Sequence, residues 1–210
     1  MINGVIFGEK HSWHDYEAIM NYARITPPAI KENYVDIAGG NSTIDLTEAV
    51  GGVVFNDGNI EFKFTLFFEE QKNRMKSQLH GRRVDIILEK EPEYYYDGRL
   101  SFDNEQLNKT VYELYANAKV KPYKMERNLS VHVEKVTERE KDILLFNDRM
   151  PTMPVITIEG NVKLKYGQLI FDLTNGVYQI AEVTLYDGMN RLTVSGNGSI
   201  KLEYRKGMII

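Results

Sequence analysis

The sequence contains no cysteine among its 210 residues. Disulfide bonds, thiolate metal ligands and cysteine nucleophiles are therefore excluded. Because the chain has no covalent cross-links of this kind, its stability has to come from side-chain packing and from hydrogen bonds between strands. The length allows one large domain or two small ones, with enough residues to bury a core.

Long apolar runs are also missing, since none approaches the roughly 20 residues that span a bilayer. Residues 1–7 lack the basic start and apolar stretch of a secretory signal. We therefore expect a protein that is made in the cytoplasm and does not insert into a membrane.

The chain also has no excess of basic over acidic residues. The net charge of −4 arises in the first 130 residues, which carry 16 basic and 20 acidic side chains. Tight binding to nucleic-acid phosphates then lacks its main driving force. A mildly acidic protein could line a conduit for DNA and repel the phosphates weakly, so that the polymer slides without sticking.

Aromatic and β-branched residues dominate what is present, with 13 tyrosines and 9 phenylalanines. This composition favours strands over helices. The run from Val53 to Phe68 predicts a strand after a turn at Gly58, because apolar residues alternate from Ile60 to Leu66. The segment from Glu69 to Leu79 breaks this alternation and predicts one amphipathic helix. Further strands are predicted at Arg83–Lys90, Tyr94–Phe102 and Val111–Val120.

A domain boundary is predicted between Lys121 and Ser130, where Pro122 and a charged segment interrupt the alternation. Beyond it the patterns are almost wholly those of strands, with turns expected at Asn175-Gly176 and at Gly196-Asn197-Gly198. The spacing of the turns is typical of a small sandwich or barrel. Residues 137–140 leave strand and helix equally open.

Catalytic or metal-binding patterns are weak. His11, His14 and Asp15 come closest to a metal site. The residues around them do not favour a helix, and a third ligand at a defined spacing is missing. A polar loop with a partly buried Trp13 is therefore the better interpretation. Asp45 and Glu48 resemble paired carboxylates, yet turn chemistry explains them more simply. We therefore predict no catalytic residue, no metal site and no cofactor.

Three tyrosines, Tyr94-Tyr95-Tyr96, stand in one predicted strand. A sugar or base could stack on them. The simpler interpretation places Tyr94 and Tyr96 on one face of the strand and packs Tyr95 on the other. Any exposed ring would then serve a subunit contact, since aromatic residues and arginine are enriched at the centres of interfaces.

Several short motifs occur in a fixed order along the chain. They are Ile6–Ser12, Gly39–Glu48, Leu79–Arg82, Glu91–Leu100, Tyr186–Val194 and Glu203–Gly207. In this order and spacing the chain resembles the distal tail proteins of long-tailed bacteriophages and prophages, over nearly its whole length. At the position where that family often has an aspartate-rich segment, this chain has Glu89-Lys90-Glu91-Pro92.

The resemblance implies a mainly β protein of two domains. Residues 1–128 would form a β-sandwich with one packed α-helix, which builds a ring. Residues 129–210 would form a small galectin-like β-sandwich. The family's role implies a homohexameric ring, possibly two stacked rings, at the virion tail tip. Its partners would be the tail tube protein and the baseplate or receptor-binding proteins, with DNA passing through the lumen without specific binding.

Two other classes of function stay open. The C-terminal sandwich could act as a carbohydrate-binding module, although residues 131–210 contain no tryptophan and only one histidine, His132. A hydrolase would have to use His11, His14 and Asp15. For the ring, the residues expected at subunit contacts are Arg82, Arg83, Tyr95 and Arg99.

Overall fold

The computed structural model describes residues 4–49 and 51–210. These residues form two compact units, each with its own hydrophobic core. The first comprises the described residues up to Lys124 together with Ile209–Ile210, and the second is Met125–Met208. The mainly β fold that the composition predicted is confirmed. The roles that the resemblance gives to domains 1–128 and 129–210 stay predictions.

The first unit is built on an eight-stranded sheet with the order β2-β1-β7-β8-β9-β6-β3, to which β16 is added beside β9. Its elements are β1 (Val5–Phe7), β2 (Lys10–His11), α1 (Ser12–Tyr16), β3 (Ile19–Thr26), β4 (Tyr34–Asp36), β5 (Thr43–Asp45), β6 (Gly58–Leu66), α2 (Glu69–Leu79), β7 (Arg83–Leu88), β8 (Tyr94–Asn108), β9 (Val111–Glu126) and β16 (Gly207–Ile209). The last two residues of β9 and the first two of β16 fall within the range of the second unit. Strands β4 and β5 form a separate two-stranded sheet.

Strand β6 supplies the centre of the first core. Every second residue from Gly58 to Leu66 is buried, as the alternation predicted. The ring of Phe7 on β1 meets Phe62 edge-on, with the centroids 5.5 Å apart. Burial of each such side chain contributes about 2 kcal/mol, and the edge-on geometry adds to this. The two faces of β6 thus separate the core from a polar outer surface.

Helix α2 covers the inner face of the sheet through Met75 and Leu79, which are buried. Its bounds are those that the sequence predicted. A second, shorter helix, α1, was not expected, because the residues around His14 offer little local helix propensity. It forms because Nδ1 of His11 accepts hydrogen bonds from the backbone N–H groups of Trp13 and His14.

Three further expectations for this unit were incomplete. Strands β8 and β9 both run beyond the predicted ends, and β9 passes straight through Pro122. Gly58 is the first residue of a strand instead of part of a turn. A Cβ atom at Gly58 would lie 2.4 Å from the terminal methyl group of Ile210, so a larger residue here would require the Ile210 side chain to move.

The second unit consists of β10 (Ser130–Val136), β11 (Lys141–Asn147), β12 (Val155–Tyr166), β13 (Leu169–Leu173), β14 (Gly176–Tyr178), a 3₁₀ turn (Ala181–Val183) and β15 (Gly188–Tyr204). The long strands β12 and β15 pair along their whole shared length. One half of this ladder carries β10 and β14, and the other carries β11 and β13. The result is two four-stranded halves that share their central strands.

Glycines mark the place where the two halves meet. Gly160 of β12 pairs with Gly198 of β15, and Gly196 pairs with Val162. A Cβ at Gly160 or at Gly196 would lie 2.3 Å from a backbone oxygen of the facing strand. Their φ values of +91° and +133° also favour glycine. The expected turn at Gly196-Asn197-Gly198 is therefore wrong, because these residues belong to one continuous strand.

Two local expectations in this unit were also wrong or incomplete. Residues 137–140 are neither helix nor strand but a bend between β10 and β11, where Thr137 O accepts a hydrogen bond from Gly196 N. The chain does bend at Asn175, yet β13 and β14 pair with β12 and not with each other in the described registers. The Asn175 side chain instead accepts a hydrogen bond from Gly160 N.

Candidate functional site

An exposed excursion leaves the first unit between β3 and β6. We call residues 27–55 the arm; Val50 is not described. Its base is held by a bridge between Ile30 and Phe55 and by a 2.8 Å hydrogen bond from Asn56 N to Ala29 O. Further out, β4 and β5 form a hairpin in which Val35 faces Ile44.

Every residue from Ala29 to Leu46 is exposed. The arm nevertheless carries large apolar side chains that are each more than a third exposed: Ile30, Tyr34, Val35, Ile37, Ile44, Leu46 and Val54. A two-stranded hairpin is barely stable alone in water, and a large exposed apolar patch marks an interaction surface. These exposed apolar side chains make the arm a candidate interaction surface.

The motif Gly39–Glu48 is the tip and return strand of the arm. Gly39 has φ +75°, and Gly40 N donates to Ile37 O, which closes the tip. Asp45 Oδ1 accepts a hydrogen bond from Thr47 N at 2.9 Å. Hydrogen bonding by the Thr47 side chain, followed by that of its backbone N–H, lowers the pKa of Asp45. The interpretation of Asp45 as a turn residue is confirmed.

A groove of about 580 Å³ lies on the polar outer face of the main sheet of the first unit. Its lining includes His80, Gly81 and alternate residues of β8 and β9 that point away from the core. Its charged residues are Asp57, Arg83, Asp97, Arg99, Lys119 and Lys121. The arm contributes no residue to the part of this lining that the structure describes.

Asp97 organises one side of the groove. Both of its oxygens accept 2.6 Å hydrogen bonds from Arg83, and Lys121 Nζ lies 2.8 Å from Oδ2. Hydrogen bonding by Arg83, followed by that of Lys121, lowers the pKa of Asp97 to about 2, against the effect of partial burial. The carboxylate therefore holds two cations in fixed positions on neighbouring strands.

The four residues expected at subunit contacts do not share one site. Arg83 and Arg99 pair directly across β7 and β8 and both line the groove. Arg99 donates to Gly81 O at 2.6 Å. Arg82 and Tyr95 are not among the groove's lining residues. Whether any of the four contacts another subunit stays a prediction.

For Tyr94 and Tyr96 the structure agrees with the simpler interpretation, while the packing of Tyr95 stays a prediction. Tyr96 is buried and donates a 2.9 Å hydrogen bond to Glu91. Lys124 forms an ion pair with the same carboxylate and lies 4.6 Å from the centre of the Tyr94 ring. Tyr94 and Tyr96 thus share one polar cluster, and burial together with Glu91 raises the pKa of Tyr96.

The histidines that came closest to a metal pattern are used structurally. His11 Nδ1 caps α1, and Nε2 donates to Glu89 Oε1 at 3.0 Å. The His14 ring lies against His11 with the centroids 4.5 Å apart and the ring planes tilted by 43°. Within residues 4–49 and 51–210 the structure contains no group of three or more His, Asp or Glu side chains that could hold a metal ion. No helix in the same ranges is long and apolar enough to cross a membrane.

Two polar residues of the second unit that could have served a sugar site are engaged within the fold. Asn190 is buried, and its amide donates to the backbone oxygens of Tyr186 and Gly188. Arg191 forms a 2.5 Å ion pair with Asp142. His132 stands on β10, which pairs with the other half of β15.

Comparison of the sequence with protein-family models and with curated proteins finds no match. Comparison of the structure finds the crystal structure of the SPP1 Dit (gp 19.1) protein, described as a paradigm of the hub adsorption apparatus in phages that infect Gram-positive bacteria. The TM-score is 0.70 at 14% sequence identity, and the match covers 98% of this chain and 99% of the other. The chain has the Dit fold. Because the match covers nearly the whole length, it includes both units.

Proposed function

We propose that this protein is a structural, non-enzymatic component of the tail tip of a phage or phage-like particle. It forms a homohexameric ring that joins the tail tube to the baseplate or receptor-binding proteins and lets DNA pass through its centre. The fold that it shares with SPP1 Dit over 98% of the chain supports a tail-hub role. The ring, its partners and the passage of DNA are inferred from the resemblance of the motifs.

The observation that carries the self-assembly is the arm. Its apolar side chains are exposed in the isolated subunit, and their cost in water is removed when another subunit covers them. An arm and the surface that receives it lie at different places on one subunit, so the contact is head-to-tail. Contacts of this kind close into a ring when the rotation between subunits allows it.

The matched test replaces the exposed pair Val35 and Ile44 by threonine. Threonine keeps the branched Cβ that suits a strand but removes apolar surface. The control carries the same change at Val131 and Val133, two exposed residues of β10. Light scattering over a range of concentrations should show a six-subunit mass for the parent protein and the control, and a smaller mass for the arm variant.

Equal assembly of the arm variant and the control would remove the arm from the proposal. A parent protein that stays monomeric at every concentration would contradict the ring itself. The monomer fold should be intact in all three proteins, which circular dichroism of the whole chain, together with the fluorescence of Trp13 for the first unit, can verify.

A further inference from the structure

The groove on the first unit has an excess of positive charge. Asp97 is shared by Arg83 and Lys121, and Asp57 lies 3.4 Å from Lys119. Arg99 adds a further cation, whose guanidinium bonds the carbonyl of Gly81. The lining therefore holds two more positive than negative charges. Asp97 holds two of the cations in place, so these side chains lose less conformational entropy when a ligand binds.

The arm has the opposite charge. It contains Glu32, Asp36, Asp45 and Glu48 but only one basic residue, Lys31. The electrostatic influence of Asp45 and Glu32 raises the pKa of the nearby Tyr34 hydroxyl. The hairpin therefore presents carboxylates beside its exposed apolar side chains.

Among the described residues of one subunit, the arm and the groove are separate surfaces. The described groove lining includes no arm residue. The base of the arm is fixed by the Ile30–Phe55 bridge and by hydrogen bonds that Lys31 N and Asn56 N donate across it. In the subunit on its own, the residues from Ala29 to Leu46 are free to contact a second copy.

We propose that the acidic arm of one subunit docks in the basic groove of the neighbouring subunit. This inference rests on the proposed ring, and it names the two surfaces that build the ring. Complementary charge would set the register and exclude wrong contacts, while the apolar side chains of the arm supply most of the burial. Because the ion pairs are partly exposed, higher salt weakens the contact.

The test uses two charge-reversed variants. The arm variant carries Glu32→Lys and Asp36→Lys, which leave the turn-forming Asp45 intact. The groove variant carries Arg99→Glu and Lys119→Glu, which leave the Arg83–Asp97 pair intact. A control reverses two exposed cations outside the groove, Arg74→Glu and Lys90→Glu.

Each variant alone sets like charges against each other at every contact. We expect both to lose the six-subunit species, with the apparent dissociation constant raised roughly tenfold or more, while the control assembles like the parent protein. An equal mixture of the two variants restores complementary charge at every contact of an alternating ring. Native mass spectrometry with one variant isotopically labelled should then show rings that contain three copies of each.

A mixture that stays monomeric, although both variants are folded, would overturn docking between subunits. Variants that each assemble as well as the parent protein would also overturn it, and would leave the proposed ring standing on other contacts. A parent protein that never assembles would instead contradict the proposed function. The three failures are therefore distinguishable.

Discussion

At the scale of single residues, charge and hydrogen bonding organise the polar side chains on the outer face of the first unit's sheet. Asp97 is the clearest example, because its oxygens accept hydrogen bonds from Arg83 and its Oδ2 also meets Lys121. The sequence analysis predicted Arg83 and Arg99 at a subunit contact and did not single out Lys119 and Lys121, which line the same groove. The alternation of buried and exposed residues in β9 indicates that Lys119 and Lys121 point away from the core. The sequence does not indicate which strands lie beside β9, because strand pairing depends on distant parts of the chain.

Replacing Asp97 by asparagine should lower the free energy of unfolding by about 1–2 kcal/mol at neutral pH, because Arg83 and Lys121 lose their shared anion. The folded-state pKa of Asp97 is depressed to about 2. Its contribution is therefore present above pH 4 and lost as the pH falls towards 2. Urea unfolding followed by Trp13 fluorescence should show the parent and variant converging in that window. A difference that persists unchanged at pH 2 would contradict this.

His11 should matter as a cap and not as a metal ligand or a base. Removing it by His11→Ala leaves two N–H groups of α1 without an acceptor, at a cost of about 1 kcal/mol. His11→Asn supplies a side-chain oxygen and should recover most of the loss. His14→Ala, at an exposed position, serves as the matched control in thermal unfolding. Equal melting temperatures for the alanine variants would show that the cap adds nothing.

At the scale of elements, strands with one buried face could be predicted and features that depend on a distant partner could not. The alternation of Ile60, Phe62 and Phe64 located β6, and the loss of alternation located α2. Gly196 and Gly198 indicate a turn when only their own segment is considered. They lie in a strand because the facing backbone of β12 leaves no room for a side chain.

The arm could not be derived from the pattern either. Its residues Val35, Ile37 and Ile44 have the composition of buried strands, so the sequence alone gives no sign that they are exposed. They are exposed because β4 and β5 pair only with each other among the described strands. The surface that covers them belongs to another molecule in the proposed assembly.

The glycines where the two halves of the second unit meet allow a test of whether steric crowding by the facing strand requires glycine there. Gly160→Ala places a methyl group 2.3 Å from Asn197 O and strains a residue with φ +91°. We expect a loss of about 3 kcal/mol. Gly167→Ala has φ +59° but meets nothing within 4 Å, so it should cost only about 1 kcal/mol. Chemical unfolding followed by circular dichroism compares the two, and equal losses would contradict the steric account.

At the scale of the whole molecule, the fold and its likeness to SPP1 Dit extend over both units. Some motifs in the sequence mark features with local backbone requirements, such as the cap at His11 and the tip of the arm at Gly39. The number of subunits in an assembly is set by the angle between neighbouring copies. Neither the sequence pattern nor a single subunit contains that angle.

The most direct test of the central claim is negative-stain imaging of the largest species that the purified protein forms, sorted into class averages. The account predicts closed rings with sixfold symmetry and a central hole wide enough for double-stranded DNA. Particles that remain single subunits, or that grow into open chains without closing, would contradict it.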